Sequence, residues 1–530
     1  MVATLGAPGA LVQRQRPFAT RMPTPVGQRV PQSRVWITRW GMTMGGTETT
    51  ATETVEATPT VVRARSAVAR RAALTVQERT TRGRARRQKV PRVSHAAWVA
   101  PADRPDPVAL LLAQDEDQAR VPELTPIRYG RMLASPFAFL RGSATVMASD
   151  LSRTPITGFT VQASGDAHLL NFGVFGTQER NLVFGMNDFD ETLPGPWEWD
   201  VKRLAASFVV AGRDGGVGEG KARDAARAAV RSYRERIAEY AGYGALEAWY
   251  ATIDTSSLLV VLSPEVRERA KAIIAKARTR TNLQVLEKTT ELIDGDFRII
   301  PSPPLVVRDH RPINGRPVTE VVQAWLDGYR ASLAADRRRL IDRYQVVDAV
   351  RKVVGVGSVG TRCYVVLLRG SSDRDVLFLQ VKEATTSVLE AYTAPSRHDY
   401  HGRRVVEGQR LIQPAPDIFL GWGRLTNRQG HVLDYYVRQL RDMKGSVTIE
   451  PGNVRAGPFV EYAVVCGWAL ALAHARSGDA ATIAGYLGPN DRFDEAVARF
   501  ATAYADQTER DHAALVAAVR QGRVSAELDR

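Results

Sequence analysis

Along "WDVKRLAASFVVAG" (199–212), apolar side chains recur every third or fourth position. Val201, Leu204, Ala205 and Phe208 share one face, which predicts a core-facing helix. The same spacing aligns Val230, Tyr233, Ile237 and Tyr240 within a second helix over 221–242. Further helices are expected over 264–280 and 319–345. From 351 the pattern changes. "RKVVGV" (351–356), "RCYVVLL" (362–368) and "VLFLQVK" (376–382) are short β-branched runs joined by turn-rich segments, and they read as three successive strands. "DYYVRQL" (434–440) is another strand and "LVFGM" (182–186) an earlier one. Helical spacing returns at 459–476 and 493–520. The expected class is α+β, with a mainly helical region over 97–345, a small β-rich region over 346–445 and a helical segment over 446–530 that packs back on the first. No internal repeat is visible.

Residues 1–96 mix Pro, Gly, Thr and Arg without a sustained apolar period, so a disordered tail is expected there. The net charge of +15 would suggest a nucleic-acid partner, but 17 Lys/Arg against 4 Asp/Glu fall within 1–96. The rest of the chain is close to neutral and is not read as a DNA-binding body. Nucleic-acid contact would run only through the tail, whose run "TTRGRARRQKVPR" (80–92) reads first as a solvated charge cluster. Met42 or Met44 is an alternative start, and an Arg-rich, acid-poor transit peptide an alternative reading of the first residues.

The 530 residues suffice for two or three domains, and 44% hydrophobic content is ordinary for a globular chain. Two cysteines, Cys363 and Cys466, exclude a disulfide framework or a Cys-rich zinc site and point to a reducing compartment. "YAVVCGWALALA" (462–473) is 12 residues long, the length of a buried helix rather than of a bilayer crossing. No apolar signal-peptide core opens the chain. A cytoplasmic protein without a membrane partner is expected, and oligomeric state is not legible.

Candidate chemistry gathers in "GDAHLLNFG" (165–173) and "NDFDE" (187–191). Asp166 and Asn171 are spaced D-x-x-x-x-N. Phosphoryl transfer needs an Asp beside the attacking hydroxyl, an Asn able to hold magnesium, and a further Asp on the magnesium that bridges the phosphates. "NFGVF" (171–175) and "NLVFGM" (181–186) can pair across "GTQER", which would return Asp188 to the side of Asn171, the arrangement of protein kinases. Asp188 and Asp190 compete as the metal ligand, with Asp188 preferred because it follows the strand directly. His168 reads as a loop hydrogen-bonder rather than a ligand. Asp200, at the start of an apolar helix, is either an acid favoured by the helix dipole or a brace for the catalytic-loop backbone. Arg131 and Arg141, near Phe137 and Phe139, could meet phosphate or an acidic substrate, or could be ion-pair struts.

"GVGSVG" (355–360) supplies Gly355, Gly357 and Gly360. A dinucleotide-binding turn needs a helix straight after these glycines. The run "TRCYVVLL" after them is strand-like, so a strand–loop–strand hairpin is expected, of the kind that covers ATP phosphates with backbone amides. The third strand ends at Lys382, placed to grip the α- and β-phosphates. Its carboxylate partner is expected on the helix "GRRVVEGQRLIQ" (402–413) as Glu407, with Glu390 as the alternative.

In kinases the glycine loop and lysine precede the catalytic Asp; here they come after it. The expected fold is therefore protein-kinase-like, two-lobed and circularly permuted, with the helix at 459–476 beside the catalytic loop. The blocks "RPDPVALL", "PIRYGRMLASPFAFLRGSA", "GDAHLLNFG", "NDFDETLPGPWEWDVKRLAAS" and "HARSGD" closely resemble a bacterial family called domain of unknown function 2252, over about residues 78 to 520. More distantly, "GDAHLLN", "NDFD" and "WEWD" resemble aminoglycoside and choline phosphotransferases of the kinase-like superfamily. That likeness implies Asp166 as the catalytic Asp, Asn171 and Asp188 as metal ligands and Asp200 as the helix brace; Ser164 stands where the pattern has its first His. The implied activity is ATP- and Mg²⁺-dependent phosphoryl transfer to a small-molecule hydroxyl. The alternatives are a catalytically inactive nucleotide-binding scaffold and an AMP-transferring enzyme.

Overall fold

The computed structural model describes residues 74–308, 316–426 and 430–528. A helical body is built from α1 (Val76–Arg86), α2 (Pro107–Asp117), α3 (Thr125–Leu133), α4 (Pro136–Gly142), α5 (Ala144–Leu151), α6 (Trp197–Asp214), α7 (Glu219–Tyr240), α8 (Ala245–Tyr250), α9 (Thr255–Val261) and α10 (Pro264–Thr279). Near the β-rich part lie α11 (Asn282–Thr289), α12 (Val318–Arg330), α13 (Ala335–Ile341) and α14 (His401–Ile412). The body is completed by α15 (Ala456–Ser477), α16 (Ala480–Leu487) and α17 (Arg492–Arg520). The class is α+β, as the pattern predicts.

Within the body, β1 (Thr160–Ala163) pairs with β4 (Leu193–Pro196). The hairpin of β2 (Phe172–Gly176) and β3 (Leu182–Met186) forms in the expected register, Phe172 opposite Met186. Elsewhere, β5 (Thr290–Ile293) and β6 (Asp296–Ile299) make a small hairpin. The main sheet combines β7 (Val306–Val307), β8 (Gln345–Lys352), β9 (Cys363–Arg369), β10 (Val376–Ala384), β11 (Gly421–Thr426) and β12 (Val432–Gln439). Its order is β11-β12-β10-β9-β8-β7, antiparallel throughout. A last short strand, β13 (Gly445–Ser446), pairs with β2 and joins the chain after the sheet to the hairpin.

The runs in β9 and β10 are continuously apolar because both faces of the sheet are covered. Val366, Leu368, Leu377 and Leu379 pack with Trp325, Leu326 and Tyr329 of α12. The alternate residues Val365, Leu367 and Phe378 pack with Val285 and Leu286 of α11. Sequence spacing marks α12 within the preceding helical region and does not mark α11. The helix expected over 319–345 is divided into α12 and α13, and the strand expected at 351 begins at 345 and stops at 352. Residues 353–362, with the glycines, are thereby free to be a loop.

Of the segment expected as a tail, 1–73 lies outside the described residues, whereas 74–96 is folded. Thr75 and Glu78 form a capping box at the start of α1. Gly83 and Gly485 let α1 and α16 cross with their backbones touching: a Cβ at Gly83 would sit 2.0 Å from the Thr482 carbonyl oxygen, and one at Gly485 would sit 2.2 Å from that of Thr80. The basic run is used here. Arg87 donates from Nε to the Tyr486 carbonyl at 2.7 Å, and Arg92 donates to the Leu487 carbonyl, so cations complete the C-terminus of α16.

Helix α6 is the central post, buried nearly throughout, including Asp200, Lys202 and Arg203. α15 packs along α7, with Gly467 against the Ala229 carbonyl. The apolar run read as 12 residues is part of a 22-residue helix, which by length and hydropathy could cross a membrane. Most of it is buried in the body, as a core helix is. Its end abuts β1, where the Gln162 amide donates to Ser477 Oγ at 3.2 Å.

Candidate functional site

β1 leads into a turn in which Gly165 adopts φ +77°. The turn is closed on itself: His168 N donates to Asp166 O at 2.8 Å, Asn171 N to His168 O at 2.8 Å, and Asn171 Nδ2 to Asp166 O at 2.8 Å. The Asn171 amide nitrogen is thus committed, and its carbonyl oxygen is left as an acceptor.

Helix α6 holds this turn with three polar residues at i, i+3 and i+7 on one face. Asp200 accepts from the Ser164 and Gly165 amides at 2.6 and 3.0 Å. Arg203 donates from Nε to Asp166 Oδ1 at 2.6 Å. Ser207 Oγ accepts from the Leu169 amide at 3.0 Å. Asp200 is therefore the brace of the two roles open to it. It is itself held by His474 at 3.2 Å, whose other nitrogen meets the Tyr233 hydroxyl at 2.9 Å. Arg203 and Ser207 escaped the sequence reading; the signal was a polar stripe inside an otherwise apolar helix.

Burial pushes the Asp166 carboxyl up to about 7, with Asp188 adding to the rise and Arg203 opposing it. Burial drives His168 well below the usual imidazole range, so it stands neutral; its Nδ1 accepts from the Leu170 amide at 3.2 Å, the loop role expected of it.

The β2–β3 hairpin returns the chain to Asn171, whose carbonyl accepts from the Asn187 amide at 3.0 Å. Asp188 and Asp190 then face the same cleft as Asp166 and Asn171. Both oxygens of Asp190 are engaged, Oδ2 by Lys382 Nζ and Oδ1 by the Tyr436 hydroxyl at 2.7 Å. Burial alone would raise Asp190, but Lys382 overcomes it and holds the carboxyl below its ordinary value. Among the described residues no cation is bonded to Asp188; its Oδ1 takes only a long 3.4 Å contact from the Asp190 amide.

Lys382 sits on β10 opposite Tyr436 of β12. The partner expected on α14 is corrected. Glu407 is half-exposed and lies 4.0 and 3.8 Å from Arg403 and Arg410 of its own helix. Glu390 accepts from the Ser387 and Ser396 amides. The partner is Asp190, which lies 192 residues from Lys382 in the chain. What α14 contributes instead is Arg404, fully buried, donating to the carbonyls of Thr192 at 2.7 Å, Asp190 at 2.8 Å and Thr385 at 2.8 Å. It ties the 190–192 segment to the end of β10.

The glycine loop joins β8 and β9 as a hairpin, with strand and not helix on its far side, so a dinucleotide-binding turn is excluded. Gly355 and Gly360 have φ +68° and +92°, open to glycine at no steric cost. The body clamps the loop: Arg131 donates to the Gly355 carbonyl, Arg120 to the Val359 carbonyl, and Val121 N to the Gly360 carbonyl at 2.8 Å. Arg131 is thus a strut. Arg141 is different, making no hydrogen bond or ion pair among the described residues while lining the cleft within electrostatic reach of Asp166 and Asp188. Phe137 packs edge-on against His168 at 6.3 Å, whereas Phe139 belongs to a separate cluster beside His512.

One cleft of about 830 Å³, open mouth included, is thus lined by Asp166, Asn171, Asp188, Arg141 and the loop from Gly355 to Ser358. Among the described residues, no three His, Cys, Asp or Glu side chains converge as an all-protein metal cage. Cys363 and Cys466 are free and buried.

The fold and cleft define an α+β protein in which two segments distant in sequence share one polar, carboxylate- and glycine-lined site. The model of a family described as "Uncharacterized protein conserved in bacteria (DUF2252)" matches residues 120–518, about three quarters of the chain, and the protein belongs to that family. Neither the comparison with curated proteins nor that with solved structures found a match.

Proposed function

We propose that the protein is an ATP- and Mg²⁺-dependent phosphotransferase acting on a small-molecule hydroxyl, with a kinase-like, two-lobed, circularly permuted fold. The observation that carries this reading is the shared cleft: Asp166, Asn171 and Asp188 line the same space as the glycine loop, and Lys382 reaches its wall through Asp190. The adjacency of β1 to the end of α15 supports the permutation, because a chain joined there would run glycine loop, lysine strand, core helix, catalytic turn.

The donor set fits magnesium. Asp188 and the side-chain Oδ1 of Asn171 are hard oxygens, and magnesium takes one or two such protein ligands and completes its shell with water and phosphate oxygens. Bound there, the ion would neutralise charge on the β- and γ-phosphates. Asp166 accepts the proton of the attacking hydroxyl, with Arg203 fixing its carboxylate. The glycine-loop amides and Lys382 orient the triphosphate; an ammonium has three donors, so the Asp190 contact leaves capacity for phosphate oxygens. The neutral His168 and the braced backbone keep the turn rigid. The free, buried cysteines support a reducing, cytoplasmic setting.

The test is nucleotide binding followed by turnover. MgATP should raise the melting temperature of the purified chain, less so in Asp188→Asn and Lys382→Met, and γ-labelled ATP should lose its label to an acceptor. No nucleotide-induced rise with any divalent metal would overturn the proposal. Transfer of α-label would replace phosphoryl transfer by AMP transfer.

A further inference from the structure

Two arginines line the cleft, and they are spent differently. Arg120 pairs with Asp115 at 3.0 Å and donates to the Val359 carbonyl, so it is committed to holding the glycine loop. Arg141 has neither hydrogen bond nor ion pair among the described residues. Its Nε is buried without a partner, while its two Nη groups keep open surface on the cleft. A guanidinium has five N–H donors and cannot shed its charge, so one that is desolvated without acceptors calls for an anion.

The root of this side chain is fixed from both sides. Arg203, which holds Asp166, also donates to the Leu140 carbonyl at 3.0 Å. Arg128, fully buried, donates to the Gly142 carbonyl at 2.9 Å. The carbonyl of Arg141 itself lies against the tip of the glycine loop, so close that a Cβ at Gly357 would sit 3.1 Å from it. Arg141 thus stands where the end of α4, the Asp166 turn and the loop tip meet. It faces Asp188, the carboxylate to which no cation is bonded among the described residues, and the two are within electrostatic reach without forming an ion pair. Opposite charges held apart in one cleft are complementary to a phosphate that travels with a divalent cation, the anion to the guanidinium and the cation to the carboxylate.

We infer that Arg141 takes the terminal phosphate of the nucleotide, selecting a triphosphate over a diphosphate and stabilising the charge on the phosphoryl group as it is transferred. The inference rests on the phosphotransferase reading and adds to it the group that recognises the transferred phosphate. In that step the bond from the γ-phosphorus to the bridging oxygen breaks, and its electron pair leaves with ADP. The bond to the acceptor oxygen forms, and the hydroxyl proton passes to Asp166. Charge spreads over the three equatorial oxygens, which a planar fork of donors meets in pairs.

The test is thermal melting of the full chain with MgADP, MgATP, and MgADP plus aluminium fluoride, a stand-in for the phosphoryl group in transfer, with turnover measured alongside. In the unaltered chain MgATP is expected to raise the melting temperature more than MgADP, and aluminium fluoride to add to the MgADP shift. Arg141→Ala should keep the MgADP shift and lose both increments, while kcat falls about 10³–10⁵-fold. Arg141→Gln is the second neutral variant should the first not fold. Arg141→Lys, which restores charge without the fork, should recover part of the MgATP increment and little of the fluoride one. A merely structural arginine would weaken the MgADP shift as well, and that result counts against the inference. No shift with either nucleotide in the unaltered chain would remove the phosphotransferase reading and this inference with it. A MgADP shift accompanied by increments that survive loss of the guanidinium, or by equal shifts with the two nucleotides in the unaltered chain, would overturn the inference alone.

Discussion

On the phosphotransferase reading, the decisive pair at the scale of single residues is Asp166 and Arg203. A carboxyl raised to about 7 is protonated below that value and a base above it. Phosphoryl transfer should therefore rise as pH climbs through about 7. Arg203 favours the charged form, so Arg203→Met should move this limb to higher pH, and Arg203→Lys should bring it part of the way back; a pH–rate profile reads both. Asp166→Asn should lower kcat by ~10²–10⁴-fold while leaving the MgATP-induced melting shift in place. Local spacing made Asp166, Asn171 and Asp188 legible, because one hairpin gathers them. Arg203 was not legible: it lies inside a run whose apolar period dominates, and only the packed turn reveals what it faces. Glu407 misled because a charge at helical spacing after a lysine strand looks like a partner, while the true partner, Asp190, is joined to Lys382 by tertiary structure alone.

Pairs and crossings decide matters at the scale of elements. The Lys382–Asp190 contact joins β10 to the segment after β3, with the lysine side chain 4% and the aspartate 28% exposed. A double-mutant cycle of Lys382→Met and Asp190→Asn, read by urea unfolding, should give a coupling of about 1–3 kcal/mol. Glu407→Gln, on the outer side of α14, should change stability by less than about 0.5 kcal/mol and leave turnover unaltered. The α1–α16 crossing makes a sharper demand. Gly485→Ala would press a Cβ against the Thr80 carbonyl and should cost about 1–3 kcal/mol in the same assay. The sequence hid this crossing because the basic run around Gly83 read as a solvated tail, whereas two of its arginines, Arg87 and Arg92, serve the carbonyls that end α16.

At the scale of the whole molecule, element types were readable but element partners were not. The strands of the main sheet carry apolar runs that announce burial on both faces, yet nothing local says that α11 and α12 cover them. The order of the segments, Asp166 turn first and glycine loop later, pointed to a meeting in space that only the fold could provide. On the phosphotransferase reading these two segments make one nucleotide cleft. The most direct test is a crystal structure with a non-hydrolysable ATP analogue and Mn²⁺ located by its anomalous scattering. The triphosphate is expected under the 355–360 loop, with the metal on Asp188 and Asn171 and the γ-phosphate facing Asp166. A nucleotide bound elsewhere, or a metal away from both residues, would contradict it.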